Sequence, residues 1–113
     1  MAATIQPRPA FTDNLRLLPG IAGVARVDLV DAAGGVAASI PNEAGKQGSL
    51  AVYRYLGAAF GRLDAAAAAH GLAVFAEHTA DARQRPGAHP NVDRLIAIAN
   101  GGAPLEVVVV MAA

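Results

Sequence analysis

Two different periods of apolar and polar positions run along this chain, and the switches between them mark out its elements. Behind a stretch with prolines at 7 and 9, Thr12 or Asp13 stands where a helix cap belongs. Pro19-Gly20 stops the short helix that would follow at about Leu18. From Val24 the period is two. Ala25, Val27 and Leu29 fall on one side and Arg26 and Asp28 on the other, as on a half-buried strand. Asp31-Ala-Ala-Gly-Gly35 is turn chemistry, and Val36, Ala38 and Ile40 alternate again. Residues 24–40 therefore read as a β-hairpin, closed by Pro41-Asn42.

Helical spacing takes over after the loop Gly45-Lys46-Gln47-Gly48. Ser49 is the expected N-cap of a helix whose Leu50, Tyr53, Leu56, Gly57 and Phe60 share a face, with Gly61 as its stop. Asp64 caps an alanine-rich helix to about His70, where a cation suits the C-terminal dipole. Gly71 is expected to break or bend it, since glycine costs about 1 kcal/mol against alanine inside a helix. Leu72 to Arg85 then continues as helix, burying Leu72, Phe75, Ala76 and Thr79, and Pro86-Gly87 ends it. Asn91 is the expected cap of a last helix over 92–100, with Val92, Leu95, Ile96 and Ala99 as its apolar stripe.

Leu105-Glu-Val-Val-Val-Val-Met111 is a strand. Its four consecutive valines are indifferent to face, as in a strand covered on both sides or nearly so. It must pair with the hairpin. The fold class is therefore α+β: a small three-stranded sheet, hairpin plus C-terminal strand, packed against three to five helices. No repeat and no linker divides the pattern, so the expectation is a flexible N-terminal tail over 1–11 and one domain over 12–113.

Composition narrows the function classes. The 113 residues are 54% hydrophobic, with three phenylalanines, two tyrosines and no tryptophan. The core must then rest on Leu, Ile and Val, with alanines letting helices approach. Nine basic residues balance nine acidic ones, which gives no electrostatic footprint for nucleic acid or an anionic membrane. There is no cysteine, so disulfides, thiolate metal sites and cysteine nucleophiles are excluded. The N-terminus lacks the basic-then-apolar pattern of a secretory signal, and the valine run is too short to span a bilayer. The reading is a soluble cytoplasmic protein without a nucleic-acid or membrane partner.

Candidate chemistry concentrates between 77 and 94. On a helix Glu77 and Asp81 lie on one face, His78 is within reach of Asp81, and Arg85 can pair with Asp81 four residues away. His89 follows in the loop. Glu77, His78, Asp81 and His89 are the catalytic candidates, by acid–base chemistry, and His78 and His89 the metal-ligand candidates. No His-Glu-x-x-His helix is present. Lys46, the only lysine, and Ser49 stand before a helix whose free amides suit a phosphate or carboxylate. The order of residues is not that of a Walker loop. Arg94 is a third ligand candidate, able to fork onto a carboxylate of a ligand or of the chain itself, such as Asp81. Capping and helix–loop–helix architecture account for much of the segment. His78, His89, Glu77 and Arg94 are what they leave unexplained.

Three runs carry a family resemblance: Gly45-Lys-Gln-Gly-Ser-Leu-Ala-Val-Tyr53, Gly71-Leu-Ala-Val-Phe-Ala-Glu-His-Thr-Ala-Asp-Ala-Arg83 and Pro86-Gly-Ala-His-Pro-Asn-Val-Asp-Arg-Leu95. Together they resemble a bacterial family catalogued as domain of unknown function 2322, over about residues 12–110. The resemblance implies a compact bacterial cytoplasmic domain and no particular reaction. It also implies a lysine where this chain has Ala88, so a basic contact there is missing. The leading expectation is a non-catalytic binding or interaction module. Its partner would be a second copy, another protein or a small anionic ligand, and a valine-rich edge strand would make a homodimer natural. The alternative is a small enzyme or metal-dependent protein with a His/acid site around 77–94, acting on an anionic small molecule.

Overall fold

The period-two segments fold as the alternation predicts. In a computed structural model describing residues 4–113, Val24–Val30 form β1 and Val36–Pro41 form β2, an antiparallel hairpin. Asp31 organises the turn, accepting from the Ala33 and Gly35 N–H groups, and Gly34 supplies the left-handed backbone at φ +87. The C-terminal strand, Glu106–Met111 (β3), pairs antiparallel with β1 on the other side, so the order is β2-β1-β3. The fold is α+β as expected, with five helices among the described residues.

One sheet face is the core face. Val27 and Leu29 are wholly buried there, with Ile40 beside them. On the opposite face Asp28 accepts from the Ser39 hydroxyl (2.6 Å) and from Arg26 Nε (3.0 Å), and these contacts hold its carboxyl below the usual range. β3 is an edge strand, contrary to the reading of its valines as covered on both faces. Val108 and Val109 are 43% and 37% exposed and Met111 55%.

The helices stack on the core face. Phe11–Leu15 (α1) is brief. Gln47–Phe60 (α2) crosses the sheet, and Ala65–Phe75 (α3), Glu77–Gln84 (α4) and Pro90–Ala99 (α5) build outward from it. Asp64 caps α3 as expected, accepting from the Ala67 N–H at 2.9 Å. Three other expected boundaries move. Gly71 does not break α3. A Cβ there would stand 2.7 Å from Leu56 Cδ1 and 2.8 Å from Leu95 Cδ1, so this glycine lets α3 nest between α2 and α5. The break falls at Ala76, whose φ of 54 is a conformation L-residues rarely adopt. α2 starts at Gln47 behind Gly45 (φ +85), which puts Ser49 inside the helix. α5 starts with Pro90 in its first turn and Asn91 inside, and no side chain caps it.

Of the expected tail, residues 1–3 lie outside the described residues. Ile5 N–H donates to the Tyr55 hydroxyl (2.8 Å), and Arg8 exchanges hydrogen bonds with the Asn14 side chain. Tyr55 is accordingly buried, and its hydroxyl also meets His70 Nε2 at 2.7 Å. His70 sits mid-helix rather than at a helix end, and burial lowers its pKa. Among the described residues no helix is long and apolar enough to cross a membrane.

Candidate functional site

Three segments far apart in sequence meet in one open cleft of about 930 Å³. Lys46 to Ser49, at the start of α2, form one wall. His78 from α4 and His89 at the head of α5 form the other, with Phe11 and Ile40 between them. Phe11 is the hinge of this geometry. Its ring stacks on Phe75 (centroids 5.3 Å apart) and meets the His78 ring edge-on (4.9 Å). It also lies over Gly48, where a Cβ would come within 3.1 Å of it. Sequence reasoning passed over Phe11. Its only signal was a lone aromatic ahead of an expected cap, at the end of a proline-containing stretch.

The acids expected to do chemistry are already engaged. Glu77 Oε1 accepts the Phe11 N–H at 2.7 Å, so α1 is capped from across the fold rather than by Thr12 or Asp13. That backbone hydrogen bond leads the causes that hold the Glu77 carboxyl below its ordinary range. Asp81 accepts from Arg85 Nε (2.9 Å) and, with its other oxygen, from Arg85 again and from His89 Nε2 (2.6 Å). The Arg85 hydrogen bonds, then the one to His89, depress the Asp81 carboxyl far below its usual value. His89 is thus oriented from behind, and its ring lies 5.5 Å from that of His78. Among the described residues, no group of three or more His, Asp or Glu side chains gathers as a metal-ligand set.

Arg94 does not join this cluster. Its guanidinium donates to the Tyr53 hydroxyl (3.1 Å) and to Asn91 Oδ1 (2.8 Å), over the Tyr53 ring. Tyr53 is wholly buried and donates to the Asn91 carbonyl. Burial pushes its phenol up to about 12, against the opposing pull of Arg94. Arg94 therefore pins α5 to α2, and its internal partners are Tyr53 and Asn91 rather than Asp81. On the other wall, Lys46 is exposed with Glu43 3.8 Å away, and no side chain caps the first amides of α2. Those amides, the lysine and the Ser49 hydroxyl are donors around a hollow whose other side presents two imidazoles.

A pH dependence follows from Asp81. Its pKa is lower folded than unfolded, so its contribution to stability is present above the ordinary carboxylate range and fades as pH falls below it. In urea melts, Asp81→Asn is expected to be less stable than wild type at pH near 7, and the gap to narrow steadily as pH falls below about 4, closing only below the depressed pKa of the folded carboxyl. A gap that widens in acid contradicts the assignment.

A family model described as an uncharacterized protein conserved in bacteria, DUF2322, matches residues 11–109. No curated protein and no solved structure matches the chain.

Proposed function

Since the chain belongs to the bacterial family DUF2322, to which no reaction is attached, we propose a function from its own cleft: a non-catalytic binding module that holds a small anionic ligand between the start of α2 and the His78–His89 pair. The observation that carries this reading is convergence. Lys46, Ser49, His78 and His89 come from three separate segments and line one hollow. Lys46, Ser49 and His78 each offer a hydrogen-bond donor, His89 offers its Nδ1–H in the imidazolium form, and the uncapped amides of α2 add the favourable end of a helix dipole. Two of the nearby carboxylates are turned to other work, Glu77 to the Phe11 amide and Asp81 to Arg85 and His89, while the exposed Glu43, 3.8 Å from Lys46, competes with an anion for that lysine.

One observation favours the enzyme reading. Asp81 on His89 Nε2 is the kind of pair that orients a general base. It would need a substrate proton within reach of the remaining imidazole nitrogen. Self-association belongs to the same binding-module reading, because the free edge of β3 offers a strand to a second copy.

Inorganic phosphate is the probe. Saturating phosphate is expected to raise the melting temperature of the wild type, with a calorimetric binding isotherm. Lys46→Ala and His89→Ala should each weaken binding at least about fivefold, the loss of roughly one charge-assisted hydrogen bond. Binding that is absent, or equal in all three proteins, overturns the reading. Turnover of a phosphate ester that is lost in His89→Ala would decide for the enzyme.

A further inference from the structure

The free edge of β3 carries its own register. Leu105 exchanges two backbone hydrogen bonds with Leu63 (2.8 and 3.0 Å), an isolated bridge that closes the edge at that point. On the β1 side, Ala112 N–H donates to the Gly23 carbonyl, and Val110, Val108 and Glu106 stand opposite Arg26, Asp28 and Val30. Backbone groups alternate sides along a strand. Val107, Val109 and Met111 therefore turn their N–H and C=O groups outward, like Leu105 but, among the described residues, without a partner. No Lys, Pro or charged residue guards positions 107–111, and β3 has no bulge there on its outer side.

We infer that this edge pairs antiparallel with the same edge of a second copy, about a two-fold axis at Val109, making a continuous six-stranded sheet. The inference rests on the self-association part of the binding-module reading and adds the register. Directly opposed residues in a sheet point to the same face, so a two-fold axis perpendicular to the sheet must pass through a residue position, not between two. Centred on Val109, Val107 stands opposite Met111 of the partner subunit, and all three outward residues of each copy are used. Centred on Val108, Leu105 would have to pair with the partner subunit's Met111, where Leu63 already sits. The Leu63 bridge excludes Val108, and of the remaining centres Val109 is the one in which all three outward residues of the strand, Val107, Val109 and Met111, face one another.

Side chains agree with this choice. Val107 and Val109 line an apolar hollow of about 420 Å³ beside the edge, with Pro19, Arg54, Gly57 and Ala58. The pairing brings the partner's Met111, on the same face, opposite Val107 and over that hollow. A flexible thioether suits an irregular gap, and Met111 is exposed in the single chain. On the other face Val108 meets the partner's Val110. The formal net charge is zero, so two copies approach without net repulsion.

The test uses the absence of cysteine. Light scattering on the wild type should give twice the monomer mass at micromolar to millimolar concentration. Under mild oxidation Val109→Cys should crosslink into a covalent dimer, because hydrogen-bonded opposed residues lie about 5.5 Å apart, inside the range of roughly 4.4–6.8 Å a disulfide spans. Val108→Cys should not, its own counterpart lying diagonally at about 7–8 Å. Val109→Pro removes an N–H that bonds nothing among the described residues. It should keep the circular dichroism of the fold and weaken the dimer at least about tenfold. A dimer that crosslinks through position 108, or survives Val109→Pro, overturns the register and leaves self-association standing. A monomer at every concentration overturns both and does not touch phosphate binding.

Discussion

Replacing Asn14 by alanine is expected to remove about 3 kcal/mol of folding stability, the sum of one strictly buried and two partly buried hydrogen bonds. Asn14 is wholly buried. Its Nδ2 donates to the Val74 carbonyl (2.9 Å) near the end of α3 and to the Arg8 carbonyl (3.0 Å), while Oδ1 accepts from the Arg8 N–H (2.7 Å). Alanine leaves all three backbone groups without that partner. A buried orphan costs about 1–3 kcal/mol and each of the other two about 1 kcal/mol. For a chain of this size the melting temperature should fall by roughly 10–20 °C. Urea denaturation with an unchanged slope and a lowered midpoint is the check. Asn14→Asp keeps the acceptor toward Arg8 but points a carboxylate at two carbonyl oxygens, so it should do no better than alanine at neutral pH. A loss under about 1 kcal/mol for the alanine variant would mean that water replaces the side chain.

Asn14 also marks where sequence reading stops. The hairpin, the Asp64 cap, the Pro86-Gly87 stop and the α+β order were legible because each is local: a period, a capping side chain, a turn pair. Boundaries decided by tertiary contact were not. Glu77 caps α1 from 66 residues away, which no window around Thr12 reveals. Gly71 looks like a helix breaker in sequence, yet it is a close approach to Leu56 and Leu95; the two roles use the same residue. Four valines say strand but not centre or edge, because coverage depends on what packs above them. The candidate site was half legible. His78, His89, Lys46 and Ser49 do share a cleft, whereas Arg94 lies on Tyr53. Sequence showed an arginine on a helix, and only the packing of α5 on α2 decides where its guanidinium goes.

Gly57→Val is expected to destabilise the protein by about 3 kcal/mol, at the upper end of overpacking. A Cβ on residue 57 would stand 2.7 Å from both Cβ and Cγ1 of Val107. A long side chain could swing aside. A β-branched residue on a strand cannot, because its χ1 is restricted and its Cβ is tied to the backbone. α2 would have to lift from β3. Gly57→Ala separates this clash from propensity, since alanine gains about 1 kcal/mol over glycine in an exposed helix. In wild type it should still destabilise, by roughly 1 kcal/mol. Paired with Val107→Gly, which removes the opposing Cβ, the same change should turn stabilising. That reversal of sign in a double-mutant cycle is the decisive readout; a Gly57→Ala that stabilises the wild-type protein defeats the argument. The consequence reaches beyond stability. Val107 is one of the three residues turned to the free edge, so the distance Gly57 allows between α2 and β3 also sets where that edge lies. Gly57→Val should therefore weaken pairing between copies even at temperatures where the monomer remains folded.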